Sequence, residues 1–269
     1  MSAEEQGRYL FKNQISLYNK NMFTTIISLI RIAFYMISKN NYRRRALKYD
    51  KAGDIQNRDR VVFDIVPQWA RFVFTNVTKS TVEVIGEEKL PKDRAVVFIA
   101  NHQGNMDIPL LFGFINKPMT FVAKAELGKI PLLSDWMRLL QCTFIERKSP
   151  RKSIQAIHDA ASGVKKGYSQ VIFPEGTRSK GAPHHEFKAG SFKLAFLSEA
   201  PIVPVTIDGT WRIYEGQKKL KKGQHVKLII HDPIETAGLS KEEQSKIPEM
   251  VEKTVCDPLG EEAGVMNEK

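Results

Sequence analysis

An α/β fold with a largely parallel central sheet of about seven strands is what this sequence predicts, and three observations carry the prediction. Short apolar runs of strand length recur seven times between residues 81 and 230. Helical patterns stand between most of them, at the spacing that strand–helix–strand units need. Ahead of them lies a stretch of different texture, which predicts an amphipathic helical pair in front of the domain. A chain of 269 residues can bury the core of such a domain. Its 42% hydrophobic and 26% charged residues exclude a disordered chain, a collagen-like repeat and a polytopic membrane protein.

From the N-terminus, the first twenty residues are acidic, then polar, and no small-residue cleavage site follows an apolar run, so no signal peptide is expected. Leu10, Phe11, Ile15 and Tyr18 predict a weakly amphipathic helix, broken at Asn19-Lys20-Asn21. Residues 22–37 follow, with twelve apolar residues in sixteen and one charge, Arg31. That run is shorter than the roughly 20 residues a helical span requires. Thr24, Ser28, Arg31 and Tyr35 recur at intervals of four, three and four, which draws one polar stripe down an otherwise apolar helix. Arg43-Arg44-Arg45, Lys48 and Lys51 come next. An apolar helix followed by cations suits a segment lying in an anionic lipid interface, which predicts monotopic attachment at the cytoplasmic face. The alternative is a helical pair packed on the core. Residues 1–60 are therefore read as membrane-associating helices with a basic connector, and residues 61–269 as the α/β domain.

Within the domain, residues 61–75 are apolar and interrupted by Pro67. The predicted strands are Thr81–Ile85, Ala95–Ala100, Met119–Ala123, Cys142–Ile145, Gln170–Phe173, Ile202–Ile207 and Val226–Ile230. The predicted helices are Ile108–Ile115, Leu132–Leu140, Arg151–Lys166, Ser191–Ser198 and Lys241–Val255. The polar tail after Leu259 is expected to fray. Net charge is +11, and residues 232–269 hold ten acids against four bases, so residues 1–231 carry +17. A basic body predicts an anionic partner. The two cysteines, Cys142 and Cys256, match no metal or redox spacing, which excludes a disulfide scaffold and favours a reducing compartment.

Active sites of such folds lie beyond the carboxyl ends of the strands. After the second strand comes Asn101-His102-Gln103-Gly104-Asn105-Met106-Asp107, with Pro109 in the first turn of the next helix. On a regular helix, His102 and Asp107 would stand about 140° apart, so they meet only if the turn folds back. In that case the carboxylate holds one imidazole nitrogen protonated and leaves the other to take a proton. The other reading is a loop histidine beside a capping aspartate. No G-x-S-x-G occurs, and Ser149-Pro150-Arg151-Lys152 reads as a helix start, so His102 has no protein nucleophile to activate. It would activate a hydroxyl of the substrate. After the fifth strand comes Phe173-Pro174-Glu175-Gly176-Thr177-Arg178-Ser179. There Gly176 permits a tight turn and Arg178 offers a planar fork for phosphate or carboxylate. Glu175 is positioned to orient that arginine or a substrate hydroxyl. Lys124 and Arg147 each follow a strand and would share the rim.

In these blocks the chain resembles the 1-acylglycerol-3-phosphate (lysophosphatidic acid) acyltransferase family. Four stand in the family's order: Asn101-His102-Gln103 with Asp107; Lys124 to Leu127 with Ile130-Pro131, running to Phe144-Ile145-Glu146-Arg147; Phe173 to Ser179 with Phe187-Lys188-Ala189-Gly190; and Pro201 to Val205. The resemblance covers roughly residues 95–210. It implies that His102 is the general base and Asp107 its orienting partner. It also implies that Glu175, Gly176, Thr177 and Arg178, with Lys124 and Arg147, bind the acceptor, Arg178 taking the phosphate. Val203-Pro204-Val205 would be structural or acyl-related. Gly104 departs from the Ser or Thr of many members, and Leu140-Gln141 replaces a glycine of the second block. The implied reaction moves a fatty acyl group from acyl-coenzyme A or acyl carrier protein to lysophosphatidic acid. No cofactor, metal or nucleic acid is expected, and backbone amides near Gly104 are candidates for stabilising the oxyanion. The same chemistry on glycerol-3-phosphate or another lysophospholipid is the nearest alternative. A non-catalytic basic membrane-binding module is the alternative of another class.

Overall fold

The computed structural model describes residues 3–146, 149–216 and 219–260. Its centre is one seven-stranded sheet: β1 (Thr81–Ile85), β2 (Val97–Ala100), β3 (Met119–Lys124), β4 (Thr143–Ile145), β5 (Ser169–Ile172), β6 (Ile202–Asp208) and β7 (His225–Ile230). The spatial order is β1-β7-β6-β2-β5-β3-β4, and every pairing is parallel except β6 with β7. All seven runs expected from the sequence are strands, within two residues at each end. The reason they were legible is burial. β2 and β5 are buried at every position, as central parallel strands covered on both faces must be.

Helices cover both faces. On one side α2 (Asn40–Lys51), α3 (Ile55–Phe72), α4 (Asp107–Phe114) and α5 (Leu133–Leu139) close a core that includes Ile65, Phe74, Phe98, Leu110 and Leu111. On the other, α6 (Pro150–Lys165), α7 (Lys193–Ser198) and α8 (Lys241–Cys256) close a second around Val97, Ile99, Phe192 and Val251. Ser149 is the N-cap of α6, accepting from the Lys152 amide with Pro150 in the first turn, so the Ser-x-x-Lys pattern is a helix start as expected. A capping box of Ser240 and Glu243 starts α8. Pro67, expected to interrupt the apolar stretch, instead lies inside α3, which Asp54 caps.

The N-terminal helical pair is present, but its break is elsewhere. Helix α1 runs from Ala3 to Ser38 without interruption at Asn19-Lys20-Asn21, and the chain bends by 49° at Lys39 into α2. Asn and Lys each cost a helix interior well under ~1 kcal/mol, too little to stop a long helix. The polar stripe is partly turned inward. Ser28 is buried and Tyr35 stacks on Phe72 at 4.4 Å, while Arg31 is exposed; beside the stripe, the Thr25 hydroxyl accepts from the Leu220 amide at 3.1 Å. Met22, Phe23, Ile26, Ile30, Phe34 and Ile37 face outward and are exposed. Among the described residues no single helix is long and apolar enough to cross a membrane. Only the bent pair Met22–Ser38 with Asn40–Lys51 has the combined length and composition.

Arg58 ties these helices to the α/β body. Its buried guanidinium pairs with Asp50 of α2 at 2.9 Å and Asp59 at 2.7 Å, and donates to the Tyr168 hydroxyl at 2.8 Å. Removing one partner of a buried pair costs about 3–5 kcal/mol, and the half-exposed Asp50 reduces that to roughly 2–3 kcal/mol. Arg58→Met is therefore expected to lower the thermal midpoint by several degrees, read by circular dichroism.

Candidate active site

The site forms where β2, β5 and β6 end. Asn101, directly after β2, is buried and bridges to β6: its amide donates to the Ile207 carbonyl at 2.8 Å and accepts from the Ile207 amide at 2.7 Å. This anchor fixes where the turn begins. The turn then folds back, as the His–Asp spacing requires, and His102 Nδ1 lies 2.7 Å from Asp107 Oδ2. Asp107 is fully buried at the start of α4. Its Oδ2 also accepts from the Gly104 amide at 2.9 Å, and its Oδ1 accepts from the Thr210 hydroxyl. A carboxylate bound by three donors has one orientation, and it fixes the imidazole with the proton on Nδ1. The His102 ring stacks on Phe173 at 4.1 Å, which sets its plane.

The second block is stitched to the first by backbone. The Ser179 amide donates to the His102 carbonyl at 2.8 Å, and the Lys180 amide to the Gln103 carbonyl at 3.1 Å. Glu175 is buried and does not touch Arg178. Its two oxygens accept from the His102 amide at 2.6 Å and the His185 amide at 2.9 Å. Burial raises its carboxyl above the ordinary range, and the two amides oppose that shift. Glu175 thus braces the His102 backbone, which sets aside the first of its two expected roles, orienting the arginine. Arg178 is held instead by Asn105 Oδ1 and by Glu215 Oε1 at 3.3 Å. Gly176 takes φ +70°, a backbone conformation that favours glycine.

The remaining candidates fall into three groups. Thr177 is exposed on the edge of the same turn, and Lys124 is exposed at the end of β3. Arg147 lies outside the described residues. Val203, Pro204 and Val205 are buried in β6 opposite Phe98, Ile99 and Ala100 of β2. The Pro204 carbonyl accepts from His231 just past the end of β7, so its missing N–H falls where that ladder has run out. These three residues build the sheet on which the site rests.

The amides near Gly104 are not open. The Gly104 amide serves Asp107, and the Asn105 amide donates to Glu215 at 2.7 Å. Four further residues were not expected: Gln103, whose side chain accepts from the Gly209 amide at 2.8 Å, together with Asn105, Thr210 and Glu215. Thr210 had a signal, since it follows β6 as His102 follows β2. Glu215 had none.

An apolar cavity of about 260 Å³ lies between the N-terminal helices and the sheet. Tyr35, Trp69, Ile108, Phe121, Trp136 and Cys142 line it. Of its lining, Phe121 sits 6.3 Å from Phe173, the ring on which His102 stacks, so two aromatic rings connect the cavity to the histidine. Burial pushes the Cys142 thiol up to about 12, which keeps it protonated and apolar in character.

Known proteins resemble this chain in sequence and in fold. A family profile described as acyltransferase matches residues 81–208. The probable 1-acyl-sn-glycerol-3-phosphate acyltransferase of Mycoplasma pneumoniae is 33% identical over 60% of this chain and 65% of its own length. The corresponding protein of Mycoplasma genitalium is 29% identical over 82% of this chain and 83% of its own. That of Borreliella burgdorferi is 30% identical over 65% and 70% respectively. Among solved structures, the 1-acyl-sn-glycerophosphate acyltransferase PlsC of Thermotoga maritima superposes with a TM-score of 0.77 at 30% identity, over 94% of this chain and 99% of that one. The first relatives are spanned only in part: 65% of the Mycoplasma pneumoniae protein and 53% of a chloroplast relative from Arabidopsis thaliana.

Proposed function

The chain belongs to the 1-acyl-sn-glycerol-3-phosphate acyltransferase family, and on that premise we propose that it acylates the sn-2 hydroxyl of 1-acyl-sn-glycerol-3-phosphate to give phosphatidic acid. The donor is a fatty acyl thioester of coenzyme A or acyl carrier protein, used as co-substrate. The observation that carries the reading is the His102–Asp107 contact beside Arg178, with no serine or cysteine in hydrogen-bond contact with the imidazole among the described residues. His102 Nε2 takes the proton of the acceptor hydroxyl while Asp107 holds Nδ1–H. The oxygen attacks the thioester carbonyl carbon, the C–S bond breaks from the tetrahedral intermediate, and the proton returns from Nε2 to the departing thiolate. No acyl-enzyme forms.

In this reading Arg178 takes the acceptor phosphate, Lys124 at the end of β3 is a further cation for it, the apolar cavity takes a fatty chain, and Arg147 joins the acceptor site on the family resemblance alone. The exposed apolar face of α1 would set the protein on the membrane that holds the acceptor, with the exposed Arg44 and Arg45 toward anionic headgroups at the cytoplasmic side, while Arg43 is paired with Asp135 of α5. The test is the pair of Michaelis constants. Arg178→Ala is expected to raise the acceptor KM roughly tenfold or more and leave the donor KM nearly unchanged. Arg178→Lys should recover only part of the loss, because a point charge cannot reproduce the fork. Equal effects on both constants would place Arg178 in a structural role.

A further inference from the structure

We propose that Glu215 is a positioning residue for acceptor binding, one that sets the Arg178 guanidinium against the Gly104–Asn105 turn beside the catalytic histidine. The proposal rests on the reading of Arg178 as the phosphate ligand. Glu215 lies in the segment that follows β6, and its side chain is only 4% exposed. Its Oε1 accepts from the Asn105 amide at 2.7 Å and from Arg178 Nη1 at 3.3 Å. The side chain of Asn105 accepts from the same Nη1. Arg178, Asn105 and Glu215 therefore close a ring of three contacts, and that ring hangs on the turn whose other end is Asp107.

Two further observations tie the carboxylate to this place. A Cβ built on Gly104 would stand 2.5 Å from Glu215 Oε2, so the bare glycine is what admits the carboxylate. Oε2 itself is buried with no hydrogen-bond partner among the described residues. Burial without a partner opposes the charged form, so a role in filling space alone would be served better by an apolar side chain. What the carboxylate supplies is a fixed acceptor for a long cation. An arginine with this many rotamers loses conformational freedom when it captures phosphate, and holding it beforehand removes part of that cost. Both contacts use Nη1, and a guanidinium carries five N–H donors, so a fork remains to be offered to the phosphate.

The experiment compares Michaelis constants of the full-length protein for 1-oleoyl-glycerol-3-phosphate and for whichever oleoyl thioester the wild type accepts. Glu215→Ala is expected to raise the acceptor KM roughly tenfold and hold the donor KM within about twofold. Glu215→Gln keeps an acceptor at Oε1 and should recover most of the loss. Glu215→Asp, the gentlest change to folding, withdraws the carboxylate by one methylene and should raise the acceptor KM severalfold. If Glu215 acts through Arg178, the double variant Arg178→Ala/Glu215→Ala will be no worse than Arg178→Ala alone. An unchanged acceptor KM in folded Glu215→Asp or Glu215→Ala, or additive losses in the double variant, overturns the proposal while the phosphate reading stands. An Arg178→Ala enzyme with a normal acceptor KM overturns the phosphate reading, and this proposal with it.

Discussion

His102→Ala is expected to cut turnover by roughly 10²–10⁴-fold, the usual worth of a general base, with the fold intact. The fold should survive because the imidazole is at the surface end of its turn, 17% exposed, and the turn is held by other groups. Asn101 pins its start to β6, Glu175 holds the His102 amide, and the Gly104 amide closes on Asp107. None of these contacts uses the imidazole. Asp107→Asn tests the other half of the pair. The carboxylate accepts three donors, from His102, Gly104 and Thr210. An asparagine offers one carbonyl oxygen and an NH₂ that cannot accept, so at least one donor loses its partner. If the NH₂ faces His102, the imidazole adopts the other tautomer, with its proton on the nitrogen that should take the substrate's. Turnover should then fall severely while circular dichroism and the thermal midpoint of His102→Ala remain near wild type. A folded His102→Ala protein that turns over lysophosphatidic acid at the wild-type rate would remove the base from the mechanism.

The strands were legible because central parallel strands are buried on both faces and so read as unbroken apolar runs, as in Val97 to Ala100. The His102–Asp107 pair was legible because both residues sit in one strand-to-helix turn, within the reach of a sequence window. Contacts that join distant segments were not. Thr210 stands 103 residues from the Asp107 it supports, and Glu215 stands 37 from Arg178. Nothing local in Tyr214-Glu215-Gly216 marks a buried acid. Of the two roles the sequence suggests for Glu175, the pairing with Arg178 is not what the structure shows. Its place next to Arg178 in sequence suggested a side-chain pair, whereas the turn at Gly176 sends the carboxylate inward to two backbone amides. The helix break shows the same limit from another side. Composition placed it at Asn19-Lys20-Asn21, and the chain bends at Lys39, where α2 begins to pack against α3 and α5.

Replacing Phe23, Ile26, Ile30 and Phe34 together by serine is expected to release the protein from membranes. In the structure these side chains are 65%, 47%, 61% and 71% exposed, so the folded protein loses little by their removal. In a lipid interface they would be covered. Full burial of such a side chain stabilises by roughly 1.5–3 kcal/mol, and half of that over four residues comes to about 3–6 kcal/mol. The partition coefficient onto vesicles should therefore fall by roughly 10²–10⁴-fold, measured by cosedimentation with vesicles containing anionic phospholipid. Activity on acceptor embedded in a bilayer should fall with it. Activity on a short-chain, water-soluble acceptor should be largely kept, because His102, Asp107 and Arg178 belong to the α/β body. Deleting residues 1–40 should go further, since Tyr35 and Met36 also line the apolar cavity. Whether the segment lies flat or crosses is settled by labelling cysteines placed at positions 5 and 40, with Cys142 and Cys256 replaced by serine. A helix carrying Arg31 among its apolar residues crosses the bilayer only at a cost of several kcal/mol, which a flat helix avoids. Both positions should therefore react from the same side of a sealed vesicle, and labelling from opposite sides would mean that the bent pair spans.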